Sequence, residues 1–273
     1  MLSSNFNLIN KAFELRQKIL KVIISNGGHL ATSYSCVDIV ASLFYGKILK
    51  YNSSNPKLES RDRFILSKGH AETLMYVILS DLNFFPKKWL REHYRRGKFI
   101  LGGHIDSKIP GIEFTTGALG HGLSLACGSA LALKKKNNKA KVFVLMSDGE
   151  CTEGSVWEAA IFASKHKLNN LIVIVDENKI SATDFTKNFT NNTKLKEKFL
   201  SFGWKAKNID GHDISSLIKN FKKAKKSKLN KPLIFIAKTI KGKGLSFIEN
   251  DPIRHTKGLD KFEEIKAKKI LKI

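Results

Sequence analysis

Residues 141–150 read Lys141-Val142-Phe143-Val144-Leu145-Met146-Ser147-Asp148-Gly149-Glu150, and residues 171–178 read Leu171-Ile172-Val173-Ile174-Val175-Asp176-Glu177-Asn178. Each begins with a run of apolar residues and closes on polar ones. Runs of this kind bury both faces of a strand, as a parallel sheet covered by helices on each side requires. Between them Val156, Ala159, Ala160 and Ala163 recur at helical spacing, marking a helix over Ser155–His166. Strand, helix and strand together take about 35 residues, the size of one right-handed crossover unit. A third apolar run, Leu233-Ile234-Phe235-Ile236-Ala237, follows a helical stripe of Ile214, Leu217, Ile218, Phe221 and Ala224, which Asp213 is placed to cap.

The rest of the chain continues the alternation. Leu8, Ala12, Leu15, Ile19, Val22 and Ile23 predict an opening helix over residues 8–23, which Gly27-Gly28 can end. Val37–Phe44 reads as a second helix. After a polar loop over Asn52–Ser60 comes a short β-like run, Arg63–Ser67, ending at Lys68-Gly69-His70. There are no repeats and no Pro/Ser-rich linker. The expected fold class is α/β: one three-layer, doubly wound domain with a mostly parallel sheet and helices on both faces, followed by a basic C-terminal tail over residues 259–273.

Composition narrows the function classes. Of 273 residues, 42% are hydrophobic and 26% charged, the balance of a folded rather than a disordered chain. The net charge of +24 usually suggests nucleic acid, anionic membrane or acidic ligands. Only 7 of the 48 cations are Arg, the favoured reader of base edges, so sequence-specific DNA recognition is disfavoured. Half of the excess, +12, falls in residues 201–273, and 19 Asn accompany the Lys. This pattern reads as compositional bias rather than as a nucleic-acid interface. Cys36, Cys127 and Cys151 have no metal-type spacing and form no even framework, which fits a reducing compartment. The start MLSSNFNLIN lacks a signal-peptide pattern, and no apolar run approaches the ~18 residues that span a bilayer. The expectation is a cytoplasmic protein with no nucleic-acid or membrane partner.

In an open parallel sheet, ligands lie outside the carboxyl ends of the strands. Two such ends carry metal-type oxygen donors: Asp148 after the first run and Asn178 after the second. On neighbouring strands their oxygens converge. A carboxylate, an amide and a backbone carbonyl suit a hard divalent cation that also takes phosphate oxygens, the habit of Mg²⁺. Gly149 leaves room for a diphosphate near the backbone, and the following helix start offers free N–H groups.

Asp148-Gly149 followed by Asn178 resembles the thiamine diphosphate motif, and further segments resemble transketolases in order along the chain. Gly28-His29, Ser67-Lys68-Gly69-His70 and Gly103-His104 are similar to that family's three histidine loops. Thr115-Thr116-Gly117-Ala118-Leu119-Gly120 is similar to the loop that cups the aminopyrimidine ring. Lys238-Thr239-Ile240-Lys241-Gly242-Lys243-Gly244, with His255 beyond it, resembles the end of the cofactor domain. The resemblance covers about residues 10–258, so residues 1–258 are expected to form the thiamine diphosphate and Mg²⁺ domain. Transketolases are more than twice as long, so the chain resembles the N-terminal subunit of split transketolases.

The resemblance implies roles for particular residues. Asp148, Asn178 and the carbonyl of Ile180 would hold Mg²⁺, or Ca²⁺ or Mn²⁺ in its place. Gly149, Glu150, His70 and His255 would border the diphosphate, and the Gly117-Ala118-Leu119 backbone would face the aminopyrimidine. His29 and His104 would line the substrate channel, with His70 and His255 close behind. Imidazoles suit proton transfer to and from sugar hydroxyls near neutral pH. Glu153 would join an acidic network between active sites. The implied reaction moves a two-carbon ketol unit from a ketose or ketose phosphate donor to an aldose acceptor. The implied partner is a separate C-terminal transketolase subunit, in an α₂β₂ heterotetramer, which supplies the glutamate that activates the aminopyrimidine.

Some positions depart from the pattern. Ser147 replaces the first Gly of the usual Gly-Asp-Gly, and His121 stands where transketolases usually have Gln. Ile105-Asp106 and Thr256-Lys257-Gly258 also differ from the family. Gly27-Gly28-His29-Leu30 and Gly120-His121 are similar to deoxyxylulose phosphate synthases. This leaves open a decarboxylating synthase that uses pyruvate and an aldehyde. A basic interaction protein with a vestigial site is the third reading.

Overall fold

The two decisive runs are adjacent strands of one parallel sheet, as their apolar character on both faces requires. The computed structural model describes residues 2–92, 94, 100–182, 184–190 and 194–273. In chain order these residues form α1 (Leu2–Asn26), α2 (Leu30–Ser35), α3 (Val37–Phe44), β1 (Arg63–Leu66), α4 (Glu72–Asp81), α5 (Trp89–Glu92) and α6 (His121–Lys135). Next come β2 (Val142–Ser147), α7 (Gly154–Lys165), β3 (Leu171–Glu177), the two-residue strands β4 (Ile180–Ser181) and β5 (Asp184–Phe185), and α8 (Thr186–Phe189). The chain finishes with α9 (Leu195–Ser201), β6 (Lys205–Asp210), α10 (Ile214–Lys225), β7 (Leu233–Lys238) and α11 (Lys261–Leu271).

The main sheet has the order β1-β2-β3-β7-β6, with every pairing parallel. Alternate side chains of the central strands enter different cores. Phe143, Leu145, Ile172 and Ile174 pack with apolar residues of α1–α4 and α10. Val144, Met146, Val173 and Val175 pack with those of α6, α7 and α9. The result is the expected α/β/α sandwich. Gly27 (φ 75°) ends α1 in the left-handed region, and Asp213 caps α10 by accepting from Ser216 N–H at 3.0 Å.

Among the elements that the sequence expectation did not include, three are instructive. β6 is an edge strand of mixed burial, reading Lys-Ala-Lys-Asn-Ile-Asp, so it lacks an apolar run. α2 is buried at every position, including Thr32, Ser33 and Ser35, and its polar residues break the apolar stripe. Residues 259–273, expected as a basic tail, contain a docked helix. Asp260 and Glu263 form a reciprocal capping box at its start, and Ala267 and Leu271 are buried against the core that includes α1.

The register brings Ser147 level with Asp176, and Asp176 level with Ala237. The carboxyl ends of β2, β3 and β7 therefore open onto one crevice.

Candidate active site

Asp148 follows β2 and caps a 3₁₀ turn over Gly149–Thr152. Its carboxylate accepts from Gly149 N–H at 3.0 Å and from Lys179 N–H at 2.7 Å. Lys179 (φ 64°) turns the chain after β3, and the Asn178 amide oxygen accepts from Ile180 N–H at 3.1 Å. Asp148 and Asn178, both 5% exposed, are thus fastened to the same turn. Burial, reinforced by the Asp176 charge, pushes the Asp148 carboxyl up to about 7. Among the described residues no group of three His, Cys, Asp or Glu could hold a metal ion. The available donors are all oxygens, one carboxylate, one amide and backbone carbonyls. They fit a hard divalent ion that completes its shell from a phosphate ligand.

Asp176 sets this frame. It is fully buried and accepts from Ser35 Oγ at 2.7 Å, from Asn178 Nδ2 at 3.0 Å, from Lys68 Nζ and from Thr239 Oγ1. Burial opposes its charge, but the Lys68 ammonium beside it keeps the carboxyl below its ordinary range. The reciprocal attraction holds Lys68 above its ordinary value.

His29, His70, His104 and His255 all line one cleft of about 240 Å³, together with Gly117, Leu119, Asn178 and Ile180. The His29 ring centroid is 5.8 Å from that of His70 and 5.7 Å from that of His255, and His70 and His255 are 5.2 Å apart. His29 Nδ1 lies 3.6 Å from the Glu72 carboxylate. The His104 ring packs on Gly117 (φ 151°), where a Cβ would come within 2.5 Å of the imidazole. Burial, with the Lys68 charge and the neighbouring imidazoles, holds His70 neutral well below its ordinary range. Burial and Lys241 hold His255 down to about 3.

Other expected site residues fall differently. Asp148 and Gly149 stand behind the cleft surface, which Ser147 and Ser181 help to form. Glycine is required at 149 because a Cβ there would meet Ser181 Oγ at 2.5 Å. The Glu150 carboxylate turns inward, accepting from Ser67 Oγ and from the backbone N–H groups of Gly120 at 2.9 Å and Ser147 at 3.3 Å. It braces the loop that faces the cleft rather than lining it. Ala118 is exposed beside the cleft-lining Gly117 and Leu119. Glu153 is exposed at the start of α7, its Cβ packed at Gly120, and the structure does not bring it to the imidazoles. His121, at the start of α6, is also exposed.

Lys68, Asp176 and Lys241 were not singled out from the sequence. Lys241 is 2% exposed, lines the cleft and places Nζ 2.8 Å from His255 Nδ1. Among 41 lysines nothing marked it except its place inside the Lys238–Gly244 segment. Burial, and then the Lys68 charge, lower its ammonium to about 7. Between pH 7 and its unfolded value of 10.5 the unfolded chain binds more protons here than the folded one, so this group makes stability rise with pH. Lys241→Met is therefore expected to stabilise the ligand-free chain at pH 7 by on the order of 2 kcal/mol. The gain should shrink toward pH 10, read from urea unfolding at both values. An equal gain at both would refute the assignment.

A protein-family model described as the thiamine diphosphate binding domain of transketolase matches residues 15–272. The chain is 38% identical over 252 residues to an apulose-4-phosphate transketolase subunit from Actinobacillus succinogenes, covering 92% of this chain and 90% of that protein. It is 35% identical over 257 residues to the 6-deoxy-6-sulfo-D-fructose transketolase subunit SqwG of a Clostridium species, covering 93% and 92%. The transketolase structure from Campylobacter jejuni superposes with a TM-score of 0.87 at 32% identity, over 99% of this chain and 43% of that one. The chain therefore spans less than half of that transketolase. With this match extending over nearly its whole length, the chain belongs to the transketolase family, through that family's thiamine diphosphate binding domain.

Proposed function

We propose that this chain is the cofactor-binding subunit of a two-subunit transketolase, which transfers a two-carbon ketol unit from a ketose or ketose phosphate to an aldose. The carrying observation is the cleft, where Asn178 and Ile180, beside the buried Asp148, face Lys241, His70 and His255. Oxygen donors on one side and a lysine with imidazoles on the other suit a diphosphate held through a divalent cation. Asp148, Asn178 and the Ile180 carbonyl would hold Mg²⁺ (or Ca²⁺ or Mn²⁺), and Lys241, His70 and His255 would face the diphosphate. The Gly117-Ala118-Leu119 loop would lie against the aminopyrimidine. When bound, thiamine diphosphate supplies the carbon that carries the two-carbon unit between sugars.

The chain's own residues would position groups and move protons. His29 and His104, at the cleft surface, would exchange protons with substrate hydroxyls, and the Glu72 carboxylate beside His29 would steady its imidazole. His255 is held neutral, so its imidazole would orient groups in the cleft by hydrogen bonding without adding charge. Glu153, exposed at the head of α7, is proposed to meet an acidic group across a subunit contact.

The names of these relatives favour ketol transfer over the decarboxylating reading, and they make a separate second subunit the natural partner. An α₂β₂ assembly is proposed on that basis. Cytoplasmic localisation is supported by three buried cysteines, none of them in a disulfide. No helix among the described residues is long and apolar enough to cross a membrane. The test is a donor panel on the chain co-purified with its complementary subunit. Ketose donors should yield chain-extended acceptor sugars, whereas carbon dioxide release from pyruvate without such products would overturn the reading.

A further inference from the structure

From Glu249 to Lys266 not one residue is buried, yet this stretch carries His255. The 3₁₀ turn Pro252–His255 contributes no side chain to the core, and Ile253 is 60% exposed. The stretch touches the core through the partly buried Leu259, and the His255 ring lies against those of His29 and His70. Polar contacts add to this hold. Asp251 caps the turn by accepting from Ile253 N–H at 3.0 Å, and His255 Nδ1 meets Lys241 Nζ. The strongest tie comes from Arg254, whose guanidinium forks onto Glu263 of α11, with Nη1–Oε2 at 2.9 Å and Nη2 on Oε1. The same guanidinium donates to the Gly258 carbonyl at 3.2 Å and, through Nε, to Asp251 at 3.3 Å. Its side chain is 10% exposed and that of Glu263 is 19% exposed, so the pair is shielded and planar, the geometry in which an Arg–carboxylate fork fixes orientation.

We infer that Arg254 and Glu263 form a clamp that positions His255, making the C-terminal helix α11 a working part of the active site. α11 is itself anchored, because Ala267 and Leu271 are buried and the Leu271 carbonyl accepts from Gln17 Nε2 of α1 at 2.7 Å. The clamp passes that rigidity to the turn. Arg254 and Glu263 are positioning residues, since neither lines the cleft that the four imidazoles share. The inference rests on the reading of His255 as a cofactor-facing residue.

The test uses the co-purified two-subunit enzyme carrying Arg254→Gln, Glu263→Gln or both. Gln at 263 can still close the capping box with Asp260, so that variant removes the fork and leaves the helix start intact. Each single variant should lower kcat by about 10-fold with the donor KM unchanged, because a misplaced group weakens the transition state before it weakens binding. The double variant should lose no more than either single one, since the two residues act as a unit. Melting temperatures should stay within about 3 °C of wild type. In ¹⁵N-histidine spectra of the full chain the His255 ring signals should move in both variants. Those of His212, which bonds Asp38 at 2.8 Å and Ile240 N–H at 2.9 Å, should stay fixed. Wild-type kcat and unmoved His255 signals would overturn the clamp, as would losses that multiply in the double variant. Wild-type enzyme that turns over without thiamine diphosphate would instead overturn the functional reading beneath it.

Discussion

Asp148→Ala is expected to remove Mg²⁺-dependent thiamine diphosphate binding and to cut ketol transfer in the two-subunit enzyme by on the order of 10³-fold. The Asp148 carboxylate is the one charged oxygen donor in the proposed cation site, and no other carboxylate can replace it. Asp176 is committed to four donors, and Glu150 to Ser67 and two backbone N–H groups. The fold should survive the change. In the ligand-free chain Asp148 is buried and repelled by Asp176, so its removal relieves a conflict while leaving two backbone N–H groups to seek other acceptors. The melting temperature without ligand should therefore remain near wild type. Asp148→Asn, which keeps the shape and drops the charge, should lose as much cofactor affinity as the alanine variant. Wild-type affinity in either variant, measured by titration of Mg²⁺-thiamine diphosphate, would remove Asp148 from the site.

Omitting the complementary subunit is expected to abolish turnover, leaving the chain alone below detection where the pair works at ~1–10³ s⁻¹. The cleft supplies imidazoles, a lysine and oxygen donors for the diphosphate end. It is bordered by the exposed Ala118 and His104, which leave open the loop proposed to face the aminopyrimidine. The solved Campylobacter jejuni transketolase, matched over 43% of its length, is more than twice as extensive. Titrating the second subunit into a fixed amount of this chain should give activity that saturates at a defined ratio. Ordinary rates from the chain alone would disprove the split-enzyme proposal.

The central fold was legible because β2 and β3 are apolar at consecutive positions, a pattern that only a strand covered on both faces shows. β6 was not, because an edge strand with lysines on its open side carries no such signal. The docking of α11 was hidden for a related reason. Two buried residues, Ala267 and Leu271, hold it, and its lysines dominate the composition. In the site, His29, His70, His104 and His255 stood out because they fall in segments that resemble the family's motifs, and the structure gathers all four. Lys241 was masked by the abundance of lysine, since sequence does not separate a buried ammonium from the many solvated ones. Asp176 reads as the polar end of a strand, and three of its four partners, Ser35, Lys68 and Thr239, come from segments that only the fold assembles. The inward turn of Glu150 depends on Gly120 and Ser67 arriving beside it, which local sequence does not encode.

The Asp176 carboxylate has a consequence for how the molecule comes into being. Apart from Asn178, its partners are far apart along the chain: Ser35 is separated from it by 141 positions, Lys68 by 108 and Thr239 by 63. Contacts between distant segments close long loops, whose entropic cost falls early while their reward comes only when all parties have arrived. The neighbouring strands β2 and β3, joined through α7, face no such delay. A newly synthesised chain should therefore raise its central sheet first and complete its active site last, once β7 has delivered Thr239. The final step of folding and the gain of cofactor binding should then share one time course.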